Sequence, residues 1–162
     1  METRTGSIAE WIAYNLEKEK EDKAPLSFCL TGRSMLPLLR PKIDRIMVMP
    51  LSRPVKKGDI VLFHQKNYCG EYILHRVIAC KDHAVLTQGD GNPKPDGWID
   101  RSQICGIAVG VERGKRSLNL QGFWLRLYGK VWMLTAGIRR PLLHLCSQLA
   151  RLGKKMQTST EN

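Results

Sequence analysis

From Leu26 to Glu112 the chain is written in short apolar runs of strand length, each closed by a cluster of Gly, Pro, Asp or Asn. The runs are "LSFCL", "RIMVM", "DIVLFHQ", "YILHRVIAC", "AVLTQ" and "ICGIAVGVE". Such spacing predicts a compact, mostly antiparallel β domain over residues 26–113. Within it "QGDGNPKPDG" predicts a long loop, because Gly and Pro break pairing while Asp and Asn accept turn geometries. No internal repeat is visible.

Helical patterns flank this region. In residues 1–25, Ser7 and Glu10 have capping-box spacing, and Ile8, Trp11, Ile12 and Leu16 recur on one face. The mixed-charge "EKEKEDK" that follows reads as a solvated helix end or linker. In residues 114–162, "GFWLRLYGKVWMLTAG" places Trp124, Leu127, Tyr128, Val131 and Leu134 at helical spacing, with Arg126 and Lys130 on another side. A second stripe of Leu142, Leu145, Cys146, Leu149 and Leu152 follows Pro141, a residue suited to a first helical turn. The expected class is therefore mainly β, with a short N-terminal helix and a basic helical C-terminal tail.

Charge sharpens the reading of that tail. The formal net charge is +11, yet residues 1–112 carry 16 basic and 14 acidic residues, a net of +2, while residues 113–160 carry ten Lys or Arg and no Asp or Glu. A one-signed tail points to an anionic partner. Aromatic and leucine faces flanked only by positive charge describe a helix lying on an anionic membrane surface through residues 114–155. Packing of the same faces on the β domain, or on another protein, is the alternative. Nucleic acid is not expected, since the basic residues fall in no recognisable nucleic-acid motif.

With 43% hydrophobic and 25% charged residues, the chain can build a core, which excludes a disordered chain. Cys29, Cys69, Cys80, Cys105 and Cys146 are odd in number and free of CxxC spacing, so reduced thiols are expected, with no disulfide framework, metal site or cofactor. "METRTGSIAEW" has no apolar leader, and no 18-residue uncharged apolar stretch exists. A cytoplasmic chain, peripheral at a membrane, is the expectation.

Ser34, in "TGRSMLPLLR", reads locally either as a turn cap or as a nucleophile. A nucleophilic serine needs a base, and that base needs an orienting group. His64, His83 and His144 have ordinary structural readings in a strand end, a charged turn and the tail. His75 sits inside the apolar "YILHRVIA", where a buried imidazole needs a partner. Alternation places Ile73, His75 and Val77 on one face and Leu74, Arg76 and Ile78 on the other. Asp90 and Asp96, in the loop after the next strand, are carboxylates that either orient the imidazole or shape a turn.

In order, the chain reads "GRSMLP", "VKKGDIVLF", "ILHRVIA", "LTQGDGNPKPD" and "ICGIAVG". This series resembles the type I signal peptidase family and spans Gly32 to Gly110, about half of the chain. It is closest to the archaeal and endoplasmic-reticulum branch, where a histidine replaces the lysine base of most bacterial members and of the self-cleaving repressor relatives. The resemblance implies a signal-peptidase/repressor-like β fold and serine endopeptidase activity on a peptide precursor or specific protein substrate. By the same match Ser34 is the nucleophile, His75 the general base, Asp96 its orienting acid and Asp90 a supporting active-site carboxylate. The Ser34 amide and its neighbours Thr31, Gly32 and Met35 would build the oxyanion and substrate-binding surface. An imidazole, which ordinarily titrates at about pH 6.5, can accept a serine proton at neutral pH.

Two features depart from the family pattern. Residues 1–25 hold no membrane anchor, and "KIDRIMV" keeps the acid Asp44 without its usual glycine. Two other classes share the fold: a self-cleaving regulator, which calls for a lysine base and a preceding DNA-binding domain, and a peptide-binding module without catalysis.

Overall fold

The computed structural model describes residues 8–16, 24–64 and 72–135. "EKEKEDK", Ser7, Cys69, His144, Cys146 and the expected second tail helix lie outside the described residues. Helix α1 (Ile8–Leu16) is followed by strands β1 (Leu26–Cys29), β2 (Arg45–Pro50), β3 (Ile60–His64), β4 (Tyr72–Cys80), β5 (Ala84–Gln88) and β6 (Gly97–Asp100). A short 3₁₀ turn leads into β7 (Ile104–Arg113), then β8 (Arg116–Asn119) and helix α2 (Phe123–Leu134). The eight strands form one antiparallel sheet in the order β1-β2-β7-β3-β4-β5-β6, with β8 paired to β7. The architecture is mainly β, as the sequence pattern predicts.

The central strands are largely apolar because the sheet buries side chains on both faces. Along β3, Ile60 and Leu62 enter one cluster with Leu74, Ala108 and the α1 side chain Trp11. Val61 and Phe63 enter a second with Val77, Val85, Ile99 and Ile107. On β4, Leu74 belongs to the first cluster while Ile73 and Val77 belong to the second, which matches the predicted alternation. Trp11 lies against Gly106 of β7, where an added Cβ would meet the indole at 3.0 Å and the Met49 carbonyl at 2.6 Å. Helix α1 is therefore part of the core, not an appendage. Its indole N–H donates to the Ala24 carbonyl at 2.8 Å.

Two boundaries differ from the sequence reading. Residues 116–119 extend the sheet by hairpin pairing to β7, so the β domain runs past 113. Gly114, at φ 59°, makes that turn. Residues 97–100, which begin at the last residue of the expected loop and fall in no expected strand, pair with β5 as an edge strand. Both strands are only four residues long, with one buried side chain in β6 and none in β8, too few to show an apolar pattern of their own.

The segment between β1 and β2 carries Ser34 and is tied down at both ends. Met35 and Leu39 are fully buried, each burial being worth about 1.5–3 kcal/mol. Buried Asp44 takes the Arg113 guanidinium in a two-point pair at 2.8 and 2.6 Å and accepts the Arg40 amide at 2.8 Å. Arg113 also donates to the Leu38 carbonyl at 2.9 Å. The guanidinium holds the Asp44 carboxyl below its ordinary value of 3.8. Asp44 thus braces the serine turn without the glycine its turn was expected to have.

Removing one member of such a pair leaves a buried charge, and the guanidinium is a quarter exposed, so Arg113→Met should cost about 2–4 kcal/mol in urea denaturation at neutral pH. A carboxylate depressed by folding contributes stability that is complete above 3.8 and lost as pH falls through the lower folded value. The gap between wild type and variant should therefore close in strong acid.

Candidate active site

Strand β4 turns two consecutive polar side chains to opposite faces and buries both, His75 at 6% exposure and Arg76 at 3%. Neither burial is tolerable without partners. On one face, His75 Nδ1 lies 2.6 Å from Asp96 Oδ2 and Nε2 lies 2.8 Å from Ser34 Oγ. Thr87 of β5 donates its hydroxyl to the same Asp96 oxygen at 2.9 Å, and its carbonyl accepts the Asp96 amide at 2.9 Å. Phe63 packs edge-on against the imidazole, with ring centroids 6.3 Å apart. The structure brings Ser34, His75 and Asp96 into one hydrogen-bonded line.

With a neutral imidazole and an ionised Asp96, which can only accept, the Nδ1 proton points to Asp96 and the Nε2 lone pair faces Ser34 Oγ–H. That is the tautomer in which an imidazole can remove a hydroxyl proton.

Asp90 does not join this line. Both of its oxygens are taken by Arg76, with Nε at 2.8 Å and Nη2 at 2.7 Å, on the opposite face of β4. Expected from the resemblance as a supporting carboxylate, it is a buried ion-pair partner that holds the loop from behind and touches neither His75 nor Ser34. Arg76 Nη1 also donates to the Gly58 carbonyl at 3.0 Å, and Trp132 of α2 donates its indole N–H to the Asp90 carbonyl at 3.0 Å. Gly58 and Asp59, from "VKKGDIVLF", set the entry to β3. Gly58 has φ 96°, and Asp59 takes Arg53 in a two-point pair.

The expected neighbours of Ser34 divide. Met35 contributes its side chain to the core, so only its backbone is available to a ligand. Thr31 and Gly32 are exposed and border a cleft of about 410 Å³ beside Ser34 and His75. Phe28, Leu30 and Tyr72 give the cleft apolar walls. The Ser34 and Met35 amides donate to no other described residue. Cys105 is no rival nucleophile, because burial pushes its thiol up to about 11.

Sequence reasoning missed Gly89 and Thr87. At Gly89 a Cβ would stand 2.6 Å from the Ser34 carbonyl oxygen and 2.9 Å from His75 Nε2. Only a residue without a side chain lets the loop close over the serine turn. Two residues on, the Gly91 amide donates to the Ser34 carbonyl at 2.7 Å. The glycine spacing of "QGDG" was the available signal, but it reads equally as ordinary turn chemistry.

Gly89→Ala should cost about 1–3 kcal/mol in chemical denaturation, the usual range for overpacking. Gly32→Ala, where nothing lies within 4 Å of the added Cβ, should change stability by less than about 0.5 kcal/mol. Compared with known families and with curated proteins, the chain matches no family model and no curated protein.

Proposed function

We propose that the protein is a serine endopeptidase of the signal-peptidase type, acting on a peptide precursor or specific protein through Ser34, His75 and Asp96. The observation that carries this reading is the pair of contacts on one imidazole, 2.8 Å to Ser34 Oγ and 2.6 Å to Asp96 Oδ2. A buried histidine satisfied only for packing would not need a hydroxyl on one nitrogen and a carboxylate on the other.

The steps follow from those groups. Nε2 takes the Ser34 proton as Oγ bonds to the peptide carbonyl carbon, and the imidazolium that forms is stabilised by Asp96. The carbonyl oxygen becomes an oxyanion, for which the free Ser34 and Met35 amides are the nearest main-chain donors in sequence. One well-placed donor contributes about 3–4 kcal/mol to the transition state. The C–N bond breaks as the imidazolium returns its proton to the leaving amine. Water, deprotonated by the same nitrogen, then releases the acyl group and restores Ser34.

The sheet supplies a seat for the substrate. Strand β1 ends the sheet and leads straight into Thr31, Gly32 and Ser34, so an extended peptide pairing with its outer edge would carry a carbonyl toward the serine. The neighbouring apolar walls of Phe28, Leu30 and Tyr72 suit an uncharged side chain next to the scissile bond.

Mass spectrometry of a mixed peptide library should reveal new termini with wild type and none with Ser34→Ala. Asp96→Asn should lower kcat about 10³–10⁴-fold, because its amide no longer favours the required tautomer. Thr87→Val should lower kcat with little change in KM, since it touches Asp96 and not the cleft. Cleavage by Ser34→Ala equal to wild type would refute the assignment. Peptide binding without cleavage by either protein would favour a binding module on the same fold.

A further inference from the structure

Helix α2 docks on the β domain by one side only. Gly129 faces the Arg76 guanidinium, where a Cβ would meet Nη1 at 2.7 Å, and Met133 reaches to within 3.9 Å of a Cβ placed on Gly58. Trp132 bonds the Asp90 carbonyl. The stripe anticipated from sequence is a different face. Of its members only Tyr128 turns inward, while Trp124 (77% exposed), Leu127, Val131 and Leu134 (84%) stand in solvent beside Phe123. At 100° per residue these five exposed side chains fill an arc of about 100°, an apolar band of the kind that marks an interaction surface.

One edge of that band is basic. Arg126 and Lys130 lie beside it and, with Lys56 and Lys57 from the turn before β3, line a pocket of about 470 Å³ that Phe123 and Leu127 also border. None of these four cations has a carboxylate partner among the described residues. The pocket's one acid, Asp59, is already held at two points by Arg53.

We propose that this face seats the protein on an anionic phospholipid membrane, with lipid phosphates in the Lys56/Lys57/Arg126/Lys130 pocket and Phe123, Trp124, Val131 and Leu134 in the headgroup–acyl boundary. Aromatic side chains favour that boundary, and cations beside it gain from the lipid charge. The charge of the chain argues against its own tail as the occupant, because residues 136–160 add five more Lys or Arg and no acid. A second copy brings the same excess of positive charge. The inference stands whether or not Ser34 is a nucleophile, since no residue of the site takes part in it.

Co-sedimentation of the full chain with phosphatidylcholine vesicles, with and without phosphatidylserine, tests it. Binding should require phosphatidylserine, fall with added salt and, at matched ionic strength, resist competition by inorganic phosphate. Lys56→Gln/Lys57→Gln should weaken partitioning roughly thirtyfold, and Trp124→Ser at least about tenfold, without a change in melting temperature. Equal binding to neutral vesicles, no binding to either, or wild-type binding by the variants would overturn the proposal. So would displacement by inorganic phosphate beyond that by sodium chloride of equal ionic strength, which would mark a soluble-anion site. A Trp124→Ser protein with a much lower melting temperature would place the chain's own tail on this face, and one with a halved mass in sedimentation equilibrium would place a second copy there. Either result would also overturn it.

Discussion

Two neighbouring residues of β4 cannot be buried unless one loop supplies a carboxylate to each. His75 and Arg76 point to opposite faces of the strand, and their partners, Asp96 and Asp90, both come from the segment between β5 and β6. The loop must therefore wrap the end of the sheet, and in doing so it passes over the serine turn. Gly89 and Gly91 make that passage possible, and the Gly91 amide fastens it to Ser34. The geometry at the imidazole thus depends on an ion pair that never touches it.

That dependence gives α2 a place in the architecture of the site. Its inward face closes over Arg76 at Gly129 and bonds Asp90 through Trp132, completing the shell behind the loop. Its outward face is apolar and basic and contacts none of the site residues. One helix therefore joins the rear of the candidate active site to the surface proposed to meet a membrane, which would fix the orientation of the cleft relative to the lipid.

Much of this was legible in the residues. Six apolar runs became β1, β2, β3, β4, β5 and β7 nearly as written, because buried strands must be apolar on the faces they cover. The contact order of Ser34, His75 and Asp96 followed from a resemblance carried by five ordered boxes. What stayed hidden has a common cause. The edge strands β6 and β8 are four residues long, too short for a periodicity to announce them. Asp90 and Asp96 lie six apart in a loop, where spacing does not decide which face each carboxylate reaches. Helix α2 is apolar around most of its circumference, so its sequence left open which side would dock.

The proposed chemistry requires Ser34 to be acylated with His75 as the base, and the most direct measurement is intact-protein and peptide-mapping mass spectrometry after incubation with an activated acyl ester. One acyl group is expected on the peptide that contains Ser34 in the wild type, and none on that peptide in His75→Ala. An acyl group elsewhere, none at all, or equal labelling of Ser34 without His75 would contradict that chemistry.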